Sequence, residues 1–210
     1  FQYYRGFTKD WPLIGKGACG LTQGTPCVVD ETHLDKGYYS AYPLGKEAKF
    51  RIISMNSVML TVNSHGSHHY TNDSNFLDTQ KADAKEQMTW LAKQLKQVDS
   101  LQEKVLLMMH IPPGIDGFGN STLWTACLTS YSEKEQKEIP VQNHFLELID
   151  TYQDRVVGVL SSHTHLDGIR KLQNKDSVFT DLLISIPGIP LKNGNNSAMK
   201  MISYNDAYEF

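Results

Sequence analysis

The chain has 210 residues, 40% of them hydrophobic and 20% charged, with a net charge of −3 at neutral pH. That composition suits one sizeable globular core and excludes binding to a nucleic-acid polymer through a basic face. It also excludes a membrane-spanning helix, because no stretch approaches the roughly twenty apolar residues such a helix needs.

The first segment, through about Gly37, is rich in glycine and aromatic residues and reads as a loop-dominated entry, with Tyr3, Tyr4, Phe7 and Trp11 as packing groups. It carries no signal-peptide pattern. Cys19, Cys27 and Cys127 fit no zinc spacing, and an odd number cannot make a complete intramolecular set; Cys19 and Cys27 either bridge a loop or stand as unpaired small residues. Residues 38–210 form the scaffold. Tyr38–Tyr42 and Phe50–Asn56 are predicted strands by their β-branched and aromatic content, expected to pair in a second sheet. His65, His68 and His69 lie in a polar run without periodicity and are expected in a solvated loop.

Ala84, Met88, Leu91, Leu95 and Val98 alternate in spacings of four and three, the stripe of an amphipathic helix, and Asp83 with Glu86 suits a capping box. Val105–Met109 follows as a buried strand, ended by His110-Ile111-Pro112-Pro113-Gly114. The two prolines remove backbone donors and fix φ, so the chain leaves the sheet stiffly and holds the imidazole on a rigid turn. Gly114 to Thr129 is a predicted loop on the crevice side, with Trp124 chiefly a packing group. Pro140 to about Tyr152 is the next helix, with His144 on its surface. Val156–Leu160 is a second buried strand, running into Ser162-His163-Thr164-His165.

Buried strands that end in histidine open into the crevice at the carboxyl edge of a parallel sheet, where α/β proteins place their sites. Imidazole suits zinc, iron and manganese, so a metal site built from His110, His163 and His165 is the first hypothesis. Taken singly, each of these residues reads as a satisfied core or loop histidine; two strand-end occurrences together favour the site.

The wording of the two motifs resembles the calcineurin-like metallophosphoesterases, and more closely their acid sphingomyelinase-like phosphodiesterase branch. His-Ile-Pro-Pro-Gly and His-Thr-His stand in the family's order, with Leu166-Asp167 after the second. Ile186-Pro187-Gly188-Ile189-Pro190, Asn195-Asn196 and a final strand at Met199–Tyr204 match the end of the pattern, so the resemblance spans roughly residues 50 to 210. It implies an α/β protein, the C-terminal portion of a four-layer α/β/β/α fold with mixed sheets. It also implies a two-metal centre using zinc, manganese or iron, in which His110 and His163 bind one ion and His165 the other. The implied activity is hydrolysis of phosphoesters, chiefly phosphodiesters of a small molecule or lipid headgroup, in a secreted or periplasmic parent.

Two departures qualify this. The family's Asp-x-His, Gly-Asp and Gly-Asn-His motifs do not occur in the chain, which reads as the histidine half of a longer enzyme, inactive alone, whose partner is the missing N-terminal part of the same domain. Ser162 stands where the family has glycine before His-x-His, which puts the ligand loop in question if positive φ is needed there. Two other readings remain: a non-catalytic binding fragment of a degenerate phosphoesterase, and a structural zinc site in an unrelated α/β protein. Asn72, Asn120 and Asn195 begin formal glycosylation triplets.

Overall fold

A computed structural model of the protein describes residues 28–30, 36–61, 74–117, 121–129, 138–191 and 195–208. The aromatic cluster of the entry segment, Cys19, Cys27, the His65–His69 cluster, Asn72 and Asn120 lie outside these residues. One seven-stranded mixed sheet organises the described chain: β1 (Val28–Asp30), β2 (Tyr39–Ala41), β3 (Phe50–Met55), β4 (Lys104–Met109), β7 (Val156–Ser161), β8 (Gly168–Gln173) and β9 (Phe179–Ser185), in the order β1-β2-β3-β4-β7-β9-β8. The four central strands β3, β4, β7 and β9 run parallel, and the flanking pairs are antiparallel. A short hairpin of β5 (Cys127–Thr129) and β6 (Glu138–Pro140) stands apart.

Two helices make the crossovers between parallel strands, α1 (Ser74–Ser100) from β3 to β4 and α2 (Val141–Thr151) from β6 towards β7. The predicted stripe of α1 is the buried one: Ala84, Leu91, Leu95 and Val98 are fully enclosed and Met88 nearly so. Burying side chains of this size stabilises by about 1.5–3 kcal/mol for each large one. They pack with Val141, Phe145 and Ile149 of α2 on Ile53, Met55, Val105, Leu107, Met109, Val159 and Leu183 of the sheet. Those sheet residues share one face by register, Ile53 opposite Leu107, Leu107 opposite Val159 and Val159 opposite Leu183.

The alternate residues point to the other face, where Ile52, Leu106 and Leu160, with Pro43, Leu44, Phe50, Ile202 and Tyr204, line a groove of about 260 Å³. Met108 and Leu182 of that face are more than a third exposed. The expected α/β class with a mixed sheet is therefore observed; the described residues comprise one helix layer and one sheet layer.

Four expectations are corrected. The strands at 38–42 and 50–56 do pair with each other, but in the main sheet and not a second one, because all of β3 is in parallel register with β4. The helix begins at Ser74, nine residues before Asp83, since residues 75–82 contain neither glycine nor proline to stop it. Asp83 and Glu86 thus cap nothing; their carboxylates instead hold the Lys36 ammonium, at 3.1 Å for Asp83. The loop after Gly114 contains β5, closed by Leu123 N–H donating to the Gly114 carbonyl at 2.8 Å. Met199–Tyr204 forms no strand: Met199 and Met201 are 90% and 93% exposed, while Ile202 and Tyr204 lie in the outer groove.

Candidate metal centre

Strand β4 ends at Met109, and the turn after it is fixed from four directions. The backbone N–H of Ile111 donates to Ser57 Oγ at 2.7 Å, and Trp124 Nε1–H donates to the Ile111 carbonyl at 2.9 Å. Gly114 N–H donates to Gln142 Oε1 at 2.7 Å, and the Arg170 guanidinium donates to the carbonyls of Ile115 at 2.9 Å and Pro113 at 3.4 Å. Ile111, Pro112 and Pro113 are buried while His110 itself is exposed, so a stiff turn presents a reachable imidazole, as the proline pair predicts. Trp124 is the packing group expected, 1% exposed and edge-on to Phe145 with ring centroids 5.1 Å apart.

The second motif leaves β7 beside it, and Ser162 N–H donates to the His110 carbonyl at 2.9 Å, tying the two motifs directly. Beyond Ser162 the backbone enters the left-handed region twice, at His163 (φ 74°) and His165 (φ 61°). Non-glycine residues rarely adopt that region, at a cost of about 1–3 kcal/mol each, and such strain clusters at functional sites. Ser162 is not among the positive-φ residues. Serine for glycine there meets no conformational obstacle; the left-handed turns fall on the histidines themselves.

The imidazoles of His110 and His163 meet edge to face, with centroids 5.1 Å apart, planes at 83° and His163 Nδ1 3.3 Å from His110 Nε2. The two nitrogens are within hydrogen-bonding distance, and their separation equally suits two ligands on one ion, since nitrogens about 2.0–2.1 Å from a zinc ion stand about 3.0–3.4 Å apart. Partial burial, and then the charge His165 would carry, push the His110 pKa down from the usual histidine range, favouring the neutral, ligating form.

His165 is close enough to act on His110 through that charge, yet no three His, Cys, Asp or Glu side chains among the described residues gather into one metal-sized cluster. The three predicted histidines are thus brought to one edge of the sheet, two in contact and the third beside them. Nδ1 of His165 is buried with no hydrogen-bond partner. His144 lies on α2 as expected, near Glu147 at 3.8 Å and away from the motifs. Ser57, Gln142 and Arg170 escaped sequence reading: no local pattern marks residues that reach the site from distant elements.

The C-terminal segment closes over His165. Gly188 N–H donates to the His165 carbonyl at 3.0 Å, Asn195 Nδ2 donates to the same oxygen, and Lys200 pairs with Asp167. The Asn195 amide is therefore engaged in the fold.

No family model matches the chain. Sphingomyelin phosphodiesterase B of Dictyostelium discoideum is 26% identical over 140 residues, covering 66% of this chain and 17% of that protein. The human cyclic GMP-AMP phosphodiesterase SMPDL3A is 25% identical over 177 residues, covering 81% of this chain and 34% of that protein; a match of that extent necessarily takes in both histidine motifs. The chain thus spans about a third or less of the length of these relatives. A solved dimetal phosphatase from Danio rerio superposes with a TM-score of 0.44 at 14% identity, over 74% of this chain and 51% of that one. Over a region that contains both histidine motifs, the chain thus resembles the calcineurin-like metallophosphoesterases of the acid sphingomyelinase-like branch.

Proposed function

We propose that this chain supplies the histidine half of a two-metal centre that hydrolyses phosphodiesters. His110 and His163 would hold one divalent ion and His165 the other, zinc, manganese and iron all being accepted by imidazole. The observation that carries this reading is the 3.3 Å separation of the His110 and His163 ring nitrogens at adjacent strand ends. The paired left-handed turns at His163 and His165 support it. When bound, the ions supply charge neutralisation at the phosphoryl group and acidify an attacking water. The chain's own contribution is positional: a proline-stiffened turn and a hydrogen-bonded left-handed turn keep three imidazoles in place.

On this reading the carboxylate ligands and the leaving-group acid come from another part of a longer protein, of whose catalytic domain residues 1–210 form one portion. The apolar outer face of the sheet supports this, because Met108 and Leu182 there are more than a third exposed; the other half of the domain would cover them. The relatives' names point to two phosphodiester classes, sphingomyelin and cyclic GMP-AMP; an extracytoplasmic setting of the parent belongs to the same proposal. No helix among the described residues is long and apolar enough to cross a membrane.

The test is hydrolysis of a generic aryl phosphodiester, with manganese or zinc supplied, by the 210-residue chain and by a longer protein that includes the preceding half. Turnover is expected from the longer protein only, falling at least about 100-fold in His110→Ala, a loss at the upper end of those seen when only the support of a metal ligand is removed. Undiminished turnover and metal content in His110→Ala would overturn the assignment.

A further inference from the structure

We infer that Gly188 and Asn195 are positioning residues, a two-point clamp that sets the backbone and ring of His165; the inference rests on the proposed ligand role of His165. Both residues act on one short target. The His165 carbonyl accepts the Gly188 N–H at 3.0 Å and the Asn195 side-chain amide, so both of its lone pairs are used. That carbonyl belongs to a residue held at φ 61°, where a side-chain-bearing residue does not rest without support.

Gly188 adds a steric contact. A Cβ at this position would stand 2.7 Å from His165 Cγ and 2.8 Å from its Cβ and Nδ1, closer than real atoms approach. Gly188 is not at positive φ, so it is glycine for room and not for conformation. The imidazole lies directly on its backbone, with the buried Nδ1 edge against it. The clamping segment is itself anchored at both ends. Ile186 N–H donates to the Ser161 carbonyl at 2.7 Å, Ala198 N–H donates to the Gly188 carbonyl at 3.2 Å, and Lys200 pairs with Asp167, two residues beyond His165. Both contacts of the clamp fall on His165, whereas the Ser162 N–H to the His110 carbonyl ties the two strand ends. The clamp therefore acts on the ion position proposed for His165.

The experiment is nuclear magnetic resonance of the isotopically labelled full chain, first without metal and then during titration with zinc alone, for Gly188→Ala, Asn195→Asp and, as a control, Ile189→Ala. Asn195→Asp is nearly isosteric and replaces the amide donor with a carboxylate that cannot donate to the His165 carbonyl; Ile189 is 74% exposed and lies next to Gly188. Without metal, Gly188→Ala and Asn195→Asp are expected to change the φ-reporting couplings of His165 and its ring nitrogen shifts, leaving those of His110 unchanged. With zinc, the His165 response should weaken about 10-fold or more, the His110 and His163 responses should persist, and Ile189→Ala should match the parent throughout. His165 signals in both variants identical to the parent's would overturn the clamp, and Asn195→Asp decides alone if Gly188→Ala does not fold. If the parent's His165 ignores zinc while the variants still shift its metal-free signals, the clamp stands and the ligand reading fails.

Discussion

Nη1 of Arg170 lies 2.8 Å from the point where a Cβ on Gly114 would stand, and Gly114 itself is held at φ 104°. The guanidinium from β8, just past the second histidine motif, therefore packs on the turn of the first. Gly114→Ala meets two penalties, a collision with a flexible group and a backbone conformation that L residues rarely adopt. A loss of about 1–3 kcal/mol is expected from urea unfolding. Repeating it in an Arg170→Ala background separates the two. The collision disappears there and the φ penalty stays, so most of the loss should persist.

Arg51 and Glu103 form a buried ion pair at the opposite end of β3 and β4, with Arg51 fully enclosed and Glu103 3% exposed. Arg51 also donates to Gln94 Oε1 at 3.2 Å and to the Tyr42 hydroxyl at 3.0 Å. Removing one partner leaves an uncompensated buried charge, so Arg51→Ala should cost about 3–5 kcal/mol. Arg51→Met with Glu103→Leu should cost much less, because no charge remains to be desolvated. Equal losses in the two variants, read from denaturant midpoints, would show that packing and not charge dominates.

Asp181 in β9 has its pKa raised from 3.8 to about 6, chiefly by burial and against the opposing hydrogen bond from the Leu182 N–H. Its Oδ2 is buried with no partner. The folded state thus holds a proton that the unfolded chain has already released between these two values. Stability from this residue is greatest at acid pH and is lost as pH rises from about 4 to 6. Asp181→Asn should therefore stabilise by about 2 kcal/mol at pH 7 and by little at pH 4. Melting temperatures of both proteins across that range check the sign.

Trp124 fills the space under the Pro112-Pro113 turn and spends its only donor on the Ile111 carbonyl. Trp124→Phe leaves that buried carbonyl unpaired and a void beside Phe145, for an expected loss of about 2–4 kcal/mol. The mobility of His110 should rise with it, read as faster exchange of the Ile111 amide. Unchanged exchange would mean that Ser57 and Gln142 hold the turn without the indole.

Local pattern alone determined a good deal of this protein. The stripe of α1, the strands β4 and β7, the position of α2 and the placement of His110 and His163 at strand ends all follow from periodicity and from what proline and apolar strands permit, although Met108 of β4 is exposed on the outer face and the runs are not buried throughout. Each is a property of consecutive residues. Tertiary structure decided what joins distant ones: that β2 and β3 enter the main sheet, that Asp83 and Glu86 hold Lys36 instead of capping a helix, and that the left-handed turns fall on His163 and His165 and not on Ser162. The same holds for Arg170 against Gly114 and for Gly188 and Asn195 against His165. These contacts depend on hydrogen bonds and steric fits between segments tens of residues apart, which no spacing in the chain records. Strand ends could thus be read as a candidate site from sequence, whereas the geometry that brings the histidines together came from the fold.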